Sequence, residues 1–177
     1  MSHFHGVITA MVTPFNDDGA LDLDGARALA RRLVDHGSHG LVVAGTTGES
    51  PTLEANEVLR LLEAVLDEVG DRATVIAGTG SNDTRHAIEL TSRAVNAGAH
   101  GVLVVTPYYN KPNEAGLRAH FAAVAEAAGE TPVIVYNIPS RCVINIPPAL
   151  LAELAAASPN VVAVQQANDD ELGPIDG

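Results

Sequence analysis

Six short runs rich in Val and Ile alternate along the chain with longer stretches in which Leu, Ala and Val recur every three or four positions. The runs cover residues 6–13, 40–44, 74–78, 101–106, 132–137 and 161–165. They lack strict polar alternation, which predicts strands covered on both faces in a parallel sheet. The stretches 23–35, 53–69, 84–96, 114–128 and 148–157 have the period of amphipathic helices. Helix boundaries carry their own signals. Thr52 precedes a first turn containing Glu54, Asn82-Asp83-Thr84 supplies capping side chains, and Pro147-Pro148 suits a helix start. Gly37, Gly70, Gly98 and Gly129 follow four helical stretches, where a left-handed C-cap favours glycine.

The strand–helix unit recurs about every 30 residues, so the pattern is a structural repeat. A doubly wound sheet and a (β/α)8 barrel both fit it. The polar exceptions favour the barrel: Thr46-Thr47, Tyr108-Tyr109, Tyr136-Asn137 and Gln165 follow or end strands, and in a barrel such positions converge on the catalytic rim. The expectation is an α/β TIM-barrel domain spanning residues 1–177, single and incomplete, truncated after about six βα units. Its first and sixth strands would carry unpaired edges, which predicts self-association.

Composition narrows the function classes. The 177 residues are 46% hydrophobic and 18% charged, a globular profile, and the formal charge is −12. That charge argues against nucleic acid and anionic membranes as partners. No apolar stretch has transmembrane length, and the N-terminus lacks the features of a signal peptide. The single cysteine, Cys142, cannot form an internal disulfide and reads as a small packed side chain, so a cytoplasmic location is expected. The seven histidines show no metal-ligand grouping, and Gly78-Thr79-Gly80 is too short for a dinucleotide fingerprint. No metal or cofactor is implied.

Three segments concentrate candidate chemistry. Gly45-Thr46-Thr47-Gly48-Glu49-Ser50 follows the second strand; its glycines let backbone N–H groups approach an anion, and its hydroxyls can orient one or relay a proton. All three tyrosines, Tyr108, Tyr109 and Tyr136, fall at ends of the fourth and fifth strands. Aligned phenols and hydroxyls pass protons. Arg141 lies at the same rim and is suited to bidentate capture of a carboxylate.

Gly45-Thr46-Thr47-Gly48-Glu49-Ser50, Thr106-Pro107-Tyr108-Tyr109-Asn110-Lys111-Pro112 and Tyr136-Asn137-Ile138-Pro139-Ser140-Arg141, in this order and spacing, resemble the dihydrodipicolinate synthase (4-hydroxy-tetrahydrodipicolinate synthase) family. These are pyruvate-dependent Schiff-base aldolases. The resemblance runs from about Gly6 through Ala167. It implies condensation of pyruvate with aspartate 4-semialdehyde in lysine and diaminopimelate biosynthesis, by homo-oligomers that are commonly tetramers. It also implies roles. Thr46, Tyr136 and Tyr109 match the proton relay, Tyr109 reaching across from a neighbouring subunit. Thr47 matches a group holding the pyruvate carboxylate, and Arg141 the receiver of the semialdehyde carboxylate. Ser50, Asn82, His86 and Tyr108 fall at the allosteric lysine site, His86 replacing an often acidic residue.

One departure bears on the chemistry. The family's imine-forming lysine falls at Gln165, within Val164-Gln165-Gln166-Ala167, and a delocalised carboxamide nitrogen is no amine nucleophile. The sole lysine, Lys111, lies in a Pro-flanked loop. Severely impaired turnover is therefore expected. The alternatives are a non-catalytic relative or fragment that binds pyruvate-like acids, and another pyruvate aldolase such as one resembling N-acetylneuraminate lyase.

Overall fold

The Val- and Ile-rich runs pair into a single parallel sheet in the order of the chain, β1-β2-β3-β4-β5-β6, in a computed structural model that describes residues 4–168. The strands are β1 (Ile8–Ala10), β2 (Gly40–Val43), β3 (Thr74–Gly78), β4 (Gly101–Val105), β5 (Val133–Asn137) and β6 (Val161–Gln166). Helices α1 (Leu23–Asp35), α2 (Ala55–Val69), α3 (Thr84–Asn96), α4 (Glu114–Ala128) and α6 (Pro148–Ala157) connect them, with a four-residue α5 (Pro139–Cys142) in the last crossover. Sequential parallel order is the order of a barrel wall, and it excludes the doubly wound alternative, whose strand order reverses at a switch point.

Strand parity divides the core into layers. Leu41, Val43, Val75 and Ala77 face outward and pack with Leu61, Leu62 and Val65 of α2 and Ala26 and Ala30 of α1. Val102, Val104, Val133 and Val135 pack likewise with Phe121 and Val124 of α4 and with Leu150 and Leu154 of α6. Val42, Ile76, Leu103, Ile134 and Tyr136 form the inner layer. A cleft of about 400 Å³ opens on that inner side, bounded by Ile8 and Ala10 on β1 and by Ala163 and Gln165 on β6. Among the described residues β1 pairs only with β2, and β6 only with β5.

The β5–β6 ladder contains an irregularity that determines which side chains enter the cleft. Val133 pairs with Val161 but Ile134 pairs with Ala163, so Val162 is an extra residue in β6. Such a bulge reverses the parity of everything after it. Beyond it Tyr136 stands opposite Gln165 and Asn137 opposite Gln166.

Several expected boundaries move, each for a local reason. β1 is three residues instead of 6–13, because Gly6 turns the chain at φ 68° before it and the Thr13 side chain is diverted to the Gly48 carbonyl after it. Glu54, rather than Thr52, caps α2, through a reciprocal capping box with Glu57. Thr52 instead closes the 3-10 turn Ser50–Thr52, its hydroxyl donating to the Glu49 carbonyl at 2.9 Å. Gly37, Gly98 and Gly129 have positive φ as expected, but Gly70 stays right-handed at φ −65°.

His120 on α4 is 3% exposed, and its Nδ1 is hydrogen-bonded to the Thr84 hydroxyl at 2.9 Å, while Nε2 finds no partner among the described residues. Burial pushes its pKa down from 6.5 to about 4. Between these values the unfolded chain binds a proton that the folded chain excludes. Stability is therefore full above pH 6.5, falls as pH drops through it, and levels off below about 4, a loss of roughly 3 kcal/mol. His120→Phe should flatten this dependence, read as the difference in urea midpoint between about pH 5 and about pH 7.5.

Candidate active site

The loop after β2 is built from tight turns. Gly48 and Ser50 N–H groups donate to the Gly45 carbonyl, and the Glu49 N–H to that of Thr46. These three amides are thus committed inside the loop. What it offers the rim is hydroxyls. Thr46 and Ser50 line a cavity of about 220 Å³ together with Val105, Tyr108, Ile138 and Arg141. The loop is fixed from β1, the buried Thr13 hydroxyl donating to the Gly48 carbonyl at 2.6 Å.

Beneath this cavity a space of about 20 Å³, room for one water, lies between Thr46, Ser50 and Tyr136. Tyr136 is 7% exposed and belongs to the inner layer. The Thr106 N–H and hydroxyl both donate to its carbonyl at 3.0 Å. Gly78 explains the Gly-Thr-Gly segment: a Cβ there would collide with the Ala44 carbonyl, so the backbones of β3 and the β2 loop meet directly under the site.

The structure brings Thr46, Ser50, Tyr108, Tyr136 and Arg141 to one end of the sheet, and Gln165 stands beside Tyr136 across the β5–β6 ladder. Thr47 is exposed next to Thr46. Tyr109 does not join them: it is 89% exposed, with φ 69°. Asn82 is tied to the β4 loop, its carbonyl accepting from the Asn110 amide at 2.8 Å, while His86 is exposed in the first turn of α3. Lys111 is exposed in the loop after β4, away from β6. Cys142 is 1% exposed and its thiol donates to the Thr106 carbonyl; burial raises its pKa, which keeps it a neutral packing group. Among the described residues no group of three or more His, Cys, Asp or Glu could hold a metal, and no helix is long and apolar enough to cross a membrane.

Backbone strain marks the same rim. Ala44, Glu49, Tyr109, Lys111 and Val143 are the non-glycine residues with positive φ among those described, and all lie at or beyond the C-terminal ends of β2, β4 and β5. Residues held this way cluster at functional sites.

Residues 3–172 match the model of the dihydrodipicolinate synthetase family. The chain belongs to that family. It is 62% identical, over 94% of its length, to the 4-hydroxy-tetrahydrodipicolinate synthase of Acidothermus cellulolyticus, and 58% identical over 93% to that of Synechococcus sp. (strain CC9605). In each case it covers 54% of the relative, so the chain spans about half the length of the curated relatives it matches. Among solved structures, the dihydrodipicolinate synthase of Cyanidioschyzon merolae with lysine bound superposes with a TM-score of 0.93 at 44% identity, over 96% of this chain and 58% of that one. The synthase of Aquifex aeolicus gives 0.91 at 42%, over 94% and 56%. The six strands and their helices are thus the barrel wall of the dihydrodipicolinate synthetase family as far as β6.

Sequence reasoning missed two groups that hold the rim together, Thr13 and the side chain of Asn137. Asn137 had a signal. It shares the outward parity of Val133 and Val135, and an amide in an all-buried apolar row needs partners within the protein.

Val143 is a β-branched residue at φ 67° and is 66% exposed, so little packing holds it there. Val143→Gly should raise stability by up to about 1 kcal/mol, the left-handed penalty relieved less the added freedom of the unfolded chain. Urea denaturation reads the change.

Proposed function

We propose that this chain carries the pyruvate- and semialdehyde-handling groups of a 4-hydroxy-tetrahydrodipicolinate synthase, with turnover severely impaired because Gln165 occupies the imine-forming position. In the full reaction pyruvate condenses with aspartate 4-semialdehyde through a Schiff base, in lysine and diaminopimelate biosynthesis. The observation that carries the reading is the pairing of Tyr136 with Gln165, with Thr46 and Tyr136 lining the same water-sized space. A nucleophile at 165 would therefore have a phenol beside it and a hydroxyl beyond, which is what proton transfer at successive imine steps requires.

The other roles are those the family resemblance implies. Thr47 assists in holding the pyruvate carboxylate. Arg141, exposed and lining the 220 Å³ cavity, receives the carboxylate of the semialdehyde as a bidentate partner. Tyr109, 89% exposed, completes the relay of a neighbouring subunit in a homo-oligomer, commonly a tetramer. Ser50, Asn82, His86 and Tyr108 belong to a regulatory lysine site at which His86 weakens recognition of the ligand's cation. The reaction needs no cofactor, and it takes place in the cytoplasm.

A second reading is favoured by Gln165 itself. A carboxamide keeps the volume and hydrogen bonding of the position without nucleophilicity, so the site binds pyruvate-like acids and performs no chemistry.

Borohydride reduction in the presence of pyruvate, followed by intact mass, tests both readings. The chain as it stands should show no pyruvyl adduct, and Gln165→Lys should acquire one at that position. An adduct on the unaltered chain, at Lys111 or the N-terminus, would overturn the assignment of Gln165 as the block.

A further inference from the structure

Asn137 is the last residue of β5, and its side chain is fully buried. One Nδ2 donates to Asn145 Oδ1 at 2.7 Å and to Gln166 Oε1 at 3.0 Å, while Oδ1 accepts from the Ile146 N–H at 3.1 Å. Its carbonyl accepts from the Ala167 N–H at 2.9 Å. Both amide hydrogens and both carbonyls of this residue are therefore in use. They join three pieces of chain: the end of β5, the end of β6 and the connection after α5.

The ladder places this network one residue from the site. Tyr136 and Gln165 are partners on the inner side, and Asn137 and Gln166 are the next pair along, linked through their side chains. β6 pairs on one side only among the described residues, and its parity depends on the bulge at Val162. Without that bulge, residue 165 would turn outward opposite Asn137, and residue 164 would face the cleft. A bond from Asn137 to residue 166 discriminates between these registers.

We propose that Asn137 is a positioning residue for the reaction: its amide, acting through Gln166, holds residue 165 beside Tyr136, and it requires a hydrogen-bond acceptor at position 166. This rests on the functional reading above. Either an amide or a carboxylate at 166 satisfies the Nδ2 donor; an apolar side chain leaves it buried and unpaired. In the bulge-free register a glutamine at 165 could also accept from Asn137, whereas a lysine could not. A Gln165→Lys background therefore isolates the bond to residue 166.

The experiment measures the rate of borohydride-trapped pyruvyl adduct against pyruvate concentration, in the Gln165→Lys chain, normalised to folded protein. Added separately, Asn137→Leu and Gln166→Leu should each lower the maximal rate roughly tenfold or more, with the half-saturating concentration unchanged, since misplacement of the nucleophile leaves the carboxylate contacts intact. Gln166→Glu should retain the parent rate, and the Leu–Leu double variant should be no slower than the slower single. A maximal rate unmoved by Asn137→Leu overturns the proposal, as do additive losses in the double variant or equal losses from Gln166→Glu and Gln166→Leu. Should Asn137→Leu fail to fold, Asn137→Asp replaces it: Asn145 and Gln166 can turn their amides to donate to a carboxylate, so an intermediate rate is expected and a rate equal to the parent counts against the role. If the Gln165→Lys parent forms no adduct, the functional reading fails instead. The positional claim is then read by amide exchange at Ala167, whose N–H donates to the Asn137 carbonyl, in Asn137→Leu or, should that variant not fold, in Gln166→Leu. Ala167 should lose protection, and its retention overturns the claim.

Discussion

The parallel pairing of β5 with β6 is the interaction on which the site depends. It sets Gln165 opposite Tyr136 and Gln166 opposite Asn137 at the rim. One additional residue in β6, Val162, decides that the side chain of residue 165 enters the cleft and does not lie under α6. Ladder hydrogen bonds beyond the bulge form in either register, and the bulged register leaves only Val162 without a ladder partner. Side chains must make the choice, and at this end of the sheet they are Asn137, Asn145 and Gln166.

The outer layers have a different character. Helices α2, α4 and α6 cover the outward rows of β2 to β5 with aliphatic side chains and Phe121, and this packing tolerates variation in detail so long as volume and pattern persist. The rim is polar, short-range and geometrically exact in its demands. Thr13 reaches the β2 loop, Thr106 holds the Tyr136 carbonyl, and Asn110 ties the β4 loop to Asn82. Stability is thus concentrated on the helical side and geometry on the other, the division expected of a barrel wall.

Much of this was legible in the sequence. Periodicity places α1, α3, α4 and α6 to the residue, and the polar residues at strand ends mark the rim. Three things were hidden, each for a physical reason. The bulge could not be read because Val161-Val162-Ala163-Val164 is apolar throughout, so parity leaves no trace in it. The start of α2 was misplaced because Thr52, Glu54 and Glu57 all carry capping chemistry, and only the reciprocal bond of Glu54 with Glu57 distinguishes them. The turn bonds of the β2 loop were hidden because Gly45 and Gly48 permit many conformations, and composition does not say that the Gly48, Glu49 and Ser50 amides turn inward.

The two ends of the sheet treat left-handed backbone in opposite ways. The turns that leave α1, α3 and α4 use Gly37, Gly98 and Gly129, residues for which positive φ carries no steric cost. The loops that leave β2 and β4 use Ala44, Glu49, Tyr109 and Lys111, and the short α5 at the same rim exits through Val143; all five bear that cost. A glycine at any of those five places would relax the chain but erase the side chain. The helix-exit glycines are free of that strain, whereas the rim keeps side chains in spite of it. That contrast can be read from dihedral angles alone.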